Sequence, residues 1–319
     1  MWLTTFRRLH GHRGPERETW GIRVGPHVYG MADRAPDPGA PPFPATLLEF
    51  FQAGDEAWER GRRVADEITS GRSGVFVPED AVQLLPPVPR PPSFLDFYAF
   101  EEHVRNARAR RGLEVPPEWY RFPAYYNSNP HALLGDGQTA YFPAGETKMD
   151  YELELGVILR RGGRHLTEQE AVDCIAGYTI VNDWSARALQ REVMAIGLGP
   201  SPAKDFATSV GPILLTPDEI PPDRWAAPGH PALEMVARVN GEEWSRGNSS
   251  AAHFTFPQMI AFASRFRELY PGDLIGSGTV GTGCGLEQDR FLNAGDRVEL
   301  EVEAIGRLTG IAAQETRKC

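Results

Sequence analysis

Lysine and cysteine are scarce in this 319-residue chain, and each scarcity removes a class of explanation. The three cysteines, Cys174, Cys284 and Cys319, are irregularly spaced, with Cys174 in an apolar helical stretch and Cys284 in a glycine-rich loop. A disulfide framework is therefore not expected, and no pair has the spacing of a structural zinc site. Lysine occurs only at Lys148, Lys204 and Lys318, against abundant arginine, alanine, glycine and proline. That pattern reads as base-composition bias, and it leaves Lys204 conspicuous. The formal net charge is −10, so a nucleic-acid partner, which needs clustered positive charge, is not expected. No apolar run approaches the length of a membrane span, and the opening MWLTTFRRLHGHRG lacks the apolar core of a secretion signal. The reading is a cytoplasmic protein with no membrane partner. Internal repeats and a βαβ rhythm are also missing, and the glycines of IGSGTVGTGCG lack the spacing of a phosphate loop.

What is present suits one large domain, or a large domain with a smaller one. Residues 1–85 read as short strands at LTTFRRL, TWGIRVG and HVYGMAD. A helix-like stretch follows, TLLEFFQAGDEAWERGRRVADEI, with Leu47, Leu48, Phe50, Phe51 and Trp58 as its apolar positions. The proline-rich PPVPRPPS at 86–93 is a stiff connector or an extended crossing. The expected division is a small N-terminal α+β domain over 1–85, a linker over 86–93, and a main domain over 94–319. His10, His12 and His27 lie among turn residues and read as surface histidines. Ser93 predicts a cap for a helix through FLDFYAFEEHVRNARARRG, stopped by Gly112, which would put Asp96 and His103 on one helical face. Thr167 with Glu170, and Thr255 with Gln258, predict capping boxes for two later helices. Strand patterns follow at GPILLT, LEMVARVNG, LIGSGTV and DRVELEVEAIG, and Asn240–Gly241 predicts a hairpin turn. The sum is a strand-rich α+β fold.

Chemistry concentrates in acidic residues. In MDYELELGVIL, alternation turns Glu152 and Glu154 to one face while Tyr151, Leu153 and Leu155 turn to the other. Two carboxylates side by side repel unless a positive charge lies between them. A hard divalent cation answers that need, and a solvated strand face is the alternative. Asp183 ends the apolar strand GYTIV, where it can reach a cavity or cap the SARALQ segment that follows.

Five segments, LDFYAFEEHV, YELELGVI, GYTIVNDWSARALQ, KDFATSVGPIL and GSGTVGTGCGLE, occur in this order from about Pro92 to the C-terminus. In them the chain resembles the fumarylacetoacetate hydrolase family. The resemblance implies a mixed β-roll as the catalytic domain over 94–319, often with a small N-terminal module, and a homodimer. It also implies a site for Mg2+ or Mn2+, with Ca2+ a further candidate, acting on a small 2-oxo or 1,3-diketo acid. Members of the family are C–C hydrolases, isomerases, decarboxylases and hydratases.

The resemblance implies Glu152, Glu154, Asp183 and Asp96 as metal ligands, with Thr208 close to the metal; Asp96 has helix capping as its alternative. His103 matches the catalytic histidine of fumarylacetoacetase, and histidine is a residue type suited to general-base work near neutral pH. Glu102 or Glu287 would orient it. Lys204 in KDFATS would stabilise developing negative charge. Arg187 and Gln190, three apart, look like substrate contacts, with arginine suited to a bidentate carboxylate. Tyr98 and Thr279 match substrate-contacting positions. The stretch PAYYNSNPHALLGDGQ reads as a pocket wall, with Tyr125, Tyr126 and Asn129 as contributors and His131 as structural. Departures from the family pattern are Ala188, Ala203 and Met194, and RNARARRG offers several candidates for a second arginine at the site. The expectation is a divalent-metal-dependent hydrolase of a β-diketo acid. Its alternatives are an isomerase, decarboxylase or hydratase of a 2-oxo-enoate, or a non-catalytic binding protein on the same fold.

Overall fold

The computed structural model describes residues 1–9, 18–31, 34, 39–71 and 76–316; His10, His12 and Cys319 lie outside them. The main sheet runs in the order Phe76–Pro78, His27–Gly30, Glu18–Val24, Trp2–Arg8, Thr208–Leu215, Ile175–Asp183, Leu153–Leu159, Leu274–Gly276, Phe94–Phe97 and Tyr125–Ser128. Val82–Leu85 adds to Trp2–Arg8, and Leu133–Leu134 runs parallel to the start of Thr208–Leu215. A second sheet holds Glu242–Asn248, Glu234–Val239, Arg297–Val302, Gly306–Gln314 and Thr139–Phe142. The strand-rich α+β reading is the observed fold.

The segment before the proline-rich stretch is hydrogen-bonded into the main sheet, because Trp2–Arg8 pairs antiparallel with Thr208–Leu215. The stretch itself crosses nearby, with Thr5 Oγ1 donating to the Pro87 carbonyl at 2.6 Å. The TLLEFF…DEI run forms two helices, α1 (Leu47–Gln52) and α2 (Gly54–Thr69). The break comes at Gly54, whose φ of 78° is left-handed and favours glycine. Phe50, Phe51, Trp58, Val64 and Ile68 from these helices pack with Phe94, Ile158, Val181, Val210 and Leu214 on one face of the main sheet. Leu95, Phe97, Leu153, Leu155 and Val157 point to the other face, against the second sheet and the later helices.

Local signals account for much of the rest. Helix α4 (Glu168–Cys174) and helix α6 (Phe256–Ser264) open with the capping boxes at Thr167/Glu170 and Thr255/Gln258. Asn240 and Gly241 both have positive φ, 51° and 84°, as the turn joining Glu234–Val239 to Glu242–Asn248 requires. Among the described residues no helix is long and apolar enough to cross a membrane.

One expectation is overturned. The segment after Ser93 is not a helix from its start: Phe94–Phe97 is a strand, and helix α3 spans Glu101–Ala109. All four strand residues are buried, and the strand pairs in parallel with Leu274–Gly276 and antiparallel with Tyr125–Ser128. Ser93 Oγ donates to Asp273 at 2.8 Å instead of capping a helix. Asp96 and His103 therefore sit on different elements, and the residue at the N-cap of α3 is Phe100, not Asp96.

Candidate active site

Strand periodicity collects the acids. Asp96, Glu154 and Asp183 lie on three strands of the main sheet and turn to the same face as Phe94, Ile158 and Val181. Their carboxylate oxygens fall within 4.8 Å of one another. Between Glu154 and Asp96 runs Leu274–Gly276, with Gly276 paired to Gly156 on one side and to Asp96 on the other. A β-carbon at Gly276 would stand 2.6 Å from Asp96 Oδ1 and 2.9 Å from Glu154 Oε2, so the glycine holds open the space between the two acids.

The three acids lack enough positive charge. Lys204 Nζ donates at 2.6 Å to both Asp183 Oδ2 and Glu152 Oε2. Tyr126 donates to Asp183 Oδ2 at 2.7 Å, and Thr208 Oγ1 to its Oδ1 at 3.4 Å. Burial, then the neighbouring charge of Asp183, pushes Asp96 well above the usual carboxylate range. Burial and Asp96 do the same to Glu154. Asp183 is also raised by burial, with Lys204 opposing. Asp96 Oδ1 and Glu154 Oε1 are buried with no hydrogen-bond partner. Converging hard oxygen donors, two of them orphaned, around a space kept open by glycine fit Mg2+ or Mn2+.

Glu152 lies just before Leu153–Leu159 and outside that three-acid group. Its Oε2 accepts from Lys204 and its Oε1 from Arg187 Nη2 at 2.7 Å. Burial alone would raise the Glu152 carboxyl, but Lys204 and Arg187 overcome it and hold it well below the usual range. Asp183 and Glu152 in turn hold Lys204 protonated, above its ordinary value despite burial. Arg187 opens helix α5 (Arg187–Met194) and also donates to Asp150 at 2.7 Å and to Gln190 at 2.9 Å. Its helical spacing from Gln190 is as expected, and two of its five N–H groups are left for other acceptors. Glu146, through Ala188 and Leu189, holds the start of this helix; Asp183 does not cap it.

His103 lies in the first turn of α3 and is buried. Its Nδ1 is 2.9 Å from Oε2 of Glu287 in helix α7 (Gly285–Gln288). Glu287 also accepts from Asn106 at 3.0 Å and from the Thr282 amide at 3.0 Å. Burial would raise this carboxyl; the contacts to His103 outweigh it and keep the pKa low. An ionised Glu287 only accepts, so Nδ1 donates in this contact, and in a neutral ring Nε2 is the nitrogen left to take a proton. Of the two candidate orienting acids the structure brings Glu287 to His103 and leaves Glu102 exposed. The Tyr98 ring meets His103 edge-on at 5.4 Å, and Thr279 Oγ1 is buried without a partner. Tyr125 packs on Phe97, and Asn129 Nδ2 donates to the Asp205 carbonyl at 2.9 Å.

Two neighbours were not singled out from the sequence. Asp150 is fully buried and ties the site together, accepting from Arg187 and from the Gly285 and Leu286 amides at 2.8 and 3.0 Å. Cys284 places its Sγ 3.3 Å from Glu287 Oε2 and 3.9 Å from His103 Nδ1. Asp150 stands in the same MDYELEL run as the glutamates, which was its one signal; Cys284 had none beyond its glycine-rich surroundings.

Known proteins resemble this chain over most of its length. The chain is 30% identical over 274 residues to oxaloacetate tautomerase YisK of Bacillus subtilis, covering 84% of this chain and 86% of that protein. It is 34% identical over 210 residues to 2,4-didehydro-3-deoxy-L-rhamnonate hydrolase of a Sphingomonas species, covering 65% and 68%. Among solved structures, a putative HpcE protein from Mycobacterium smegmatis superposes with a TM-score of 0.74 at 26% identity, covering 97% and 99%. Maleylpyruvate hydrolase from Sphingobium sp. SYK-6, solved with manganese (II) and pyruvate, has the same fold, with a TM-score of 0.72 at 21% identity and coverage of 99% and 100%. Residues 93–311 match the family described as fumarylacetoacetate (FAA) hydrolase C-terminal, and by that match, together with its curated relatives, this chain belongs to the fumarylacetoacetate hydrolase family.

Proposed function

We propose that this protein is a divalent-metal-dependent hydrolase that cleaves a C–C bond in a β-diketo acid of the acylpyruvate type. The observation that carries the reading is the pairing of an undercharged three-acid cluster with a separate, oriented His103–Glu287 dyad. Asp96, Glu154 and Asp183 would hold Mg2+ or Mn2+, with Glu152 as the adjacent fourth acid. Bound there, the ion would supply Lewis-acid stabilisation of negative charge on an oxo-acid substrate.

The chain's own groups do the rest. Glu287 fixes the His103 ring with its proton on Nδ1, so that Nε2 takes a proton from the attacking water. Lys204, fully protonated, offers its charge to the oxygen that gains electron density as the C–C bond breaks. Arg187 holds Glu152 and Asp150 in place and keeps N–H groups for a substrate carboxylate. Tyr98 beside His103, Gln190 beside Arg187, and Thr279 with its buried unpartnered hydroxyl would contact the substrate. A homodimer in the cytoplasm is part of the same proposal, and light scattering of the purified protein tests its size.

A second reading is favoured by the 30% identity with an oxaloacetate tautomerase. There His103 would shuttle a proton between carbon and oxygen of the same enol, with no water consumed. Acylpyruvates and oxaloacetate incubated in heavy-oxygen water with Mg2+ or Mn2+ separate the two. Loss of the enol band with two fragments, one carrying solvent oxygen, is the hydrolase result. Loss of the band with intact carbon chains gives the tautomerase, and no change with either substrate class defeats both.

A further inference from the structure

His103, Cys284 and Glu287 converge on one point from three directions. The base sits on α3, the thiol on the glycine-rich loop before α7, and the carboxylate within α7. The edges of the triangle are 2.9 Å from Nδ1 to Oε2, 3.3 Å from Sγ to Oε2, and 3.9 Å from Sγ to Nδ1. Tetrahedral zinc, with Zn–S of about 2.3 Å and Zn–N or Zn–O of about 2.0 Å, has ligand edges of about 3.3–3.5 Å. The triangle matches to within a few tenths of an ångström, before any side chain moves. Its donor set of one sulfur, one ring nitrogen and one carboxylate oxygen differs in kind from the all-oxygen cluster at Asp96, Glu154 and Asp183. Hard Mg2+ has no use for a thiolate, whereas Zn2+ binds all three donor types.

The geometry points to a second cation site at His103, Cys284 and Glu287, selective for thiophilic dications such as Zn2+, whose occupancy silences the base. The proton balance gives the mechanism. Binding requires the Cys284 thiolate, so the thiol proton leaves to solvent. It also requires the Nδ1 lone pair, so the proton now shared with Glu287 must leave Nδ1, and the neutral ring carries its proton on Nε2 instead. The nitrogen that would accept a proton from water becomes a donor. One net proton is released, and the dyad is converted to the wrong tautomer. The inhibitory consequence rests on the base role proposed for His103; the binding itself does not.

The test uses full-length protein in saturating Mg2+, titrated with Cd2+ and read by the ultraviolet thiolate-to-cadmium band, with Cys174 and Cys319 replaced so that Cys284 is the sole thiol. The expected result is a one-equivalent band that persists in Glu154→Ala, disappears in Cys284→Ser, and needs at least ~10-fold more Cd2+ in His103→Ala. If replacing Cys174 disturbs the core, the difference between native protein and Cys284→Ser alone gives the same reading. A band that survives Cys284→Ser, or none in the parent, overturns the site. In the second arm, Zn2+ inhibition is measured against each variant's own rate. Cys284→Ser should raise the half-inhibiting concentration by at least ~10-fold. An unchanged value, with the cadmium band intact, overturns the switch but leaves the site.

Discussion

A β-carbon on Gly276 would lie 2.6 Å from Oδ1 of Asp96, closer than any relaxed packing allows. Glycine at this position is thus part of the cluster, supplying the volume into which the acids point. Gly276→Ala should weaken Mn2+ binding by at least ~10-fold in calorimetry while leaving the circular dichroism spectrum unchanged. Undiminished binding would show that the cation, if bound, lies elsewhere.

Glu154 and Glu152 are expected to part company. Glu154 has an oxygen with no partner, whereas Glu152 is engaged by Lys204 and Arg187. Glu154→Ala should abolish Mn2+ binding. Glu152→Gln should retain measurable binding but weaken the hold on the two cations, which truncating one partner of a buried pair costs at about 3–5 kcal/mol. Equal loss of binding in both would place Glu152 among the direct ligands.

Acid titration should govern both metal affinity and stability. Asp96 and Glu154 have folded-state pKa values raised well above their ordinary ones. In the window between the ordinary and raised values the folded state holds more protons than the unfolded state, so chelated protein loses stability as pH rises through it. A bound dication replaces those protons and removes the penalty. The gain in melting temperature on adding Mn2+ should therefore grow from pH 5 to pH 8, and a gain independent of pH would contradict the assignment.

Glu287→Gln should lower the hydrolytic rate by about 10²–10⁴-fold with metal affinity preserved, because the amide can present its N–H to Nδ1 and favour the wrong tautomer. His103→Ala should match it, and the double variant should be no worse than either. Additive losses would mean the two residues act separately.

Outside the site, His230 is buried against Phe256 with neither ring nitrogen paired. Burial drives its pKa from 6.5 down to about 4. The unfolded chain binds the proton first, so stability falls as pH drops between these values, by about 3 kcal/mol in all. His230→Leu should flatten this acid limb; an identical acid midpoint would rule it out.

The residues differ in how far sequence could place them. Glu154 and Asp183 were legible because alternation and strand ends are local patterns. The Asn240–Gly241 turn was legible for the same reason. The sequence around Asp96 reads as a helix because Phe94–Phe97 is buried on both faces and so has no alternation. What makes it a strand is its pairing with Leu274–Gly276, 180 residues away in chain numbering at Ser93 and Asp273. The contacts of Asp150 with Arg187, and of Cys284 with His103, likewise arise from chain crossings that leave no local periodicity.

The pairing of Trp2–Arg8 with Thr208–Leu215 has a meaning beyond architecture. Without the first 85 residues, the strand Thr208–Leu215 would lose its partner at Leu214 and Leu215, and the apolar face carrying Val210 and Leu214 would lose its cover. Such an edge recruits whatever extended chain it meets, including its own copy. The N-terminal segment thus closes the end of this edge and covers the apolar face of the strand that carries Thr208.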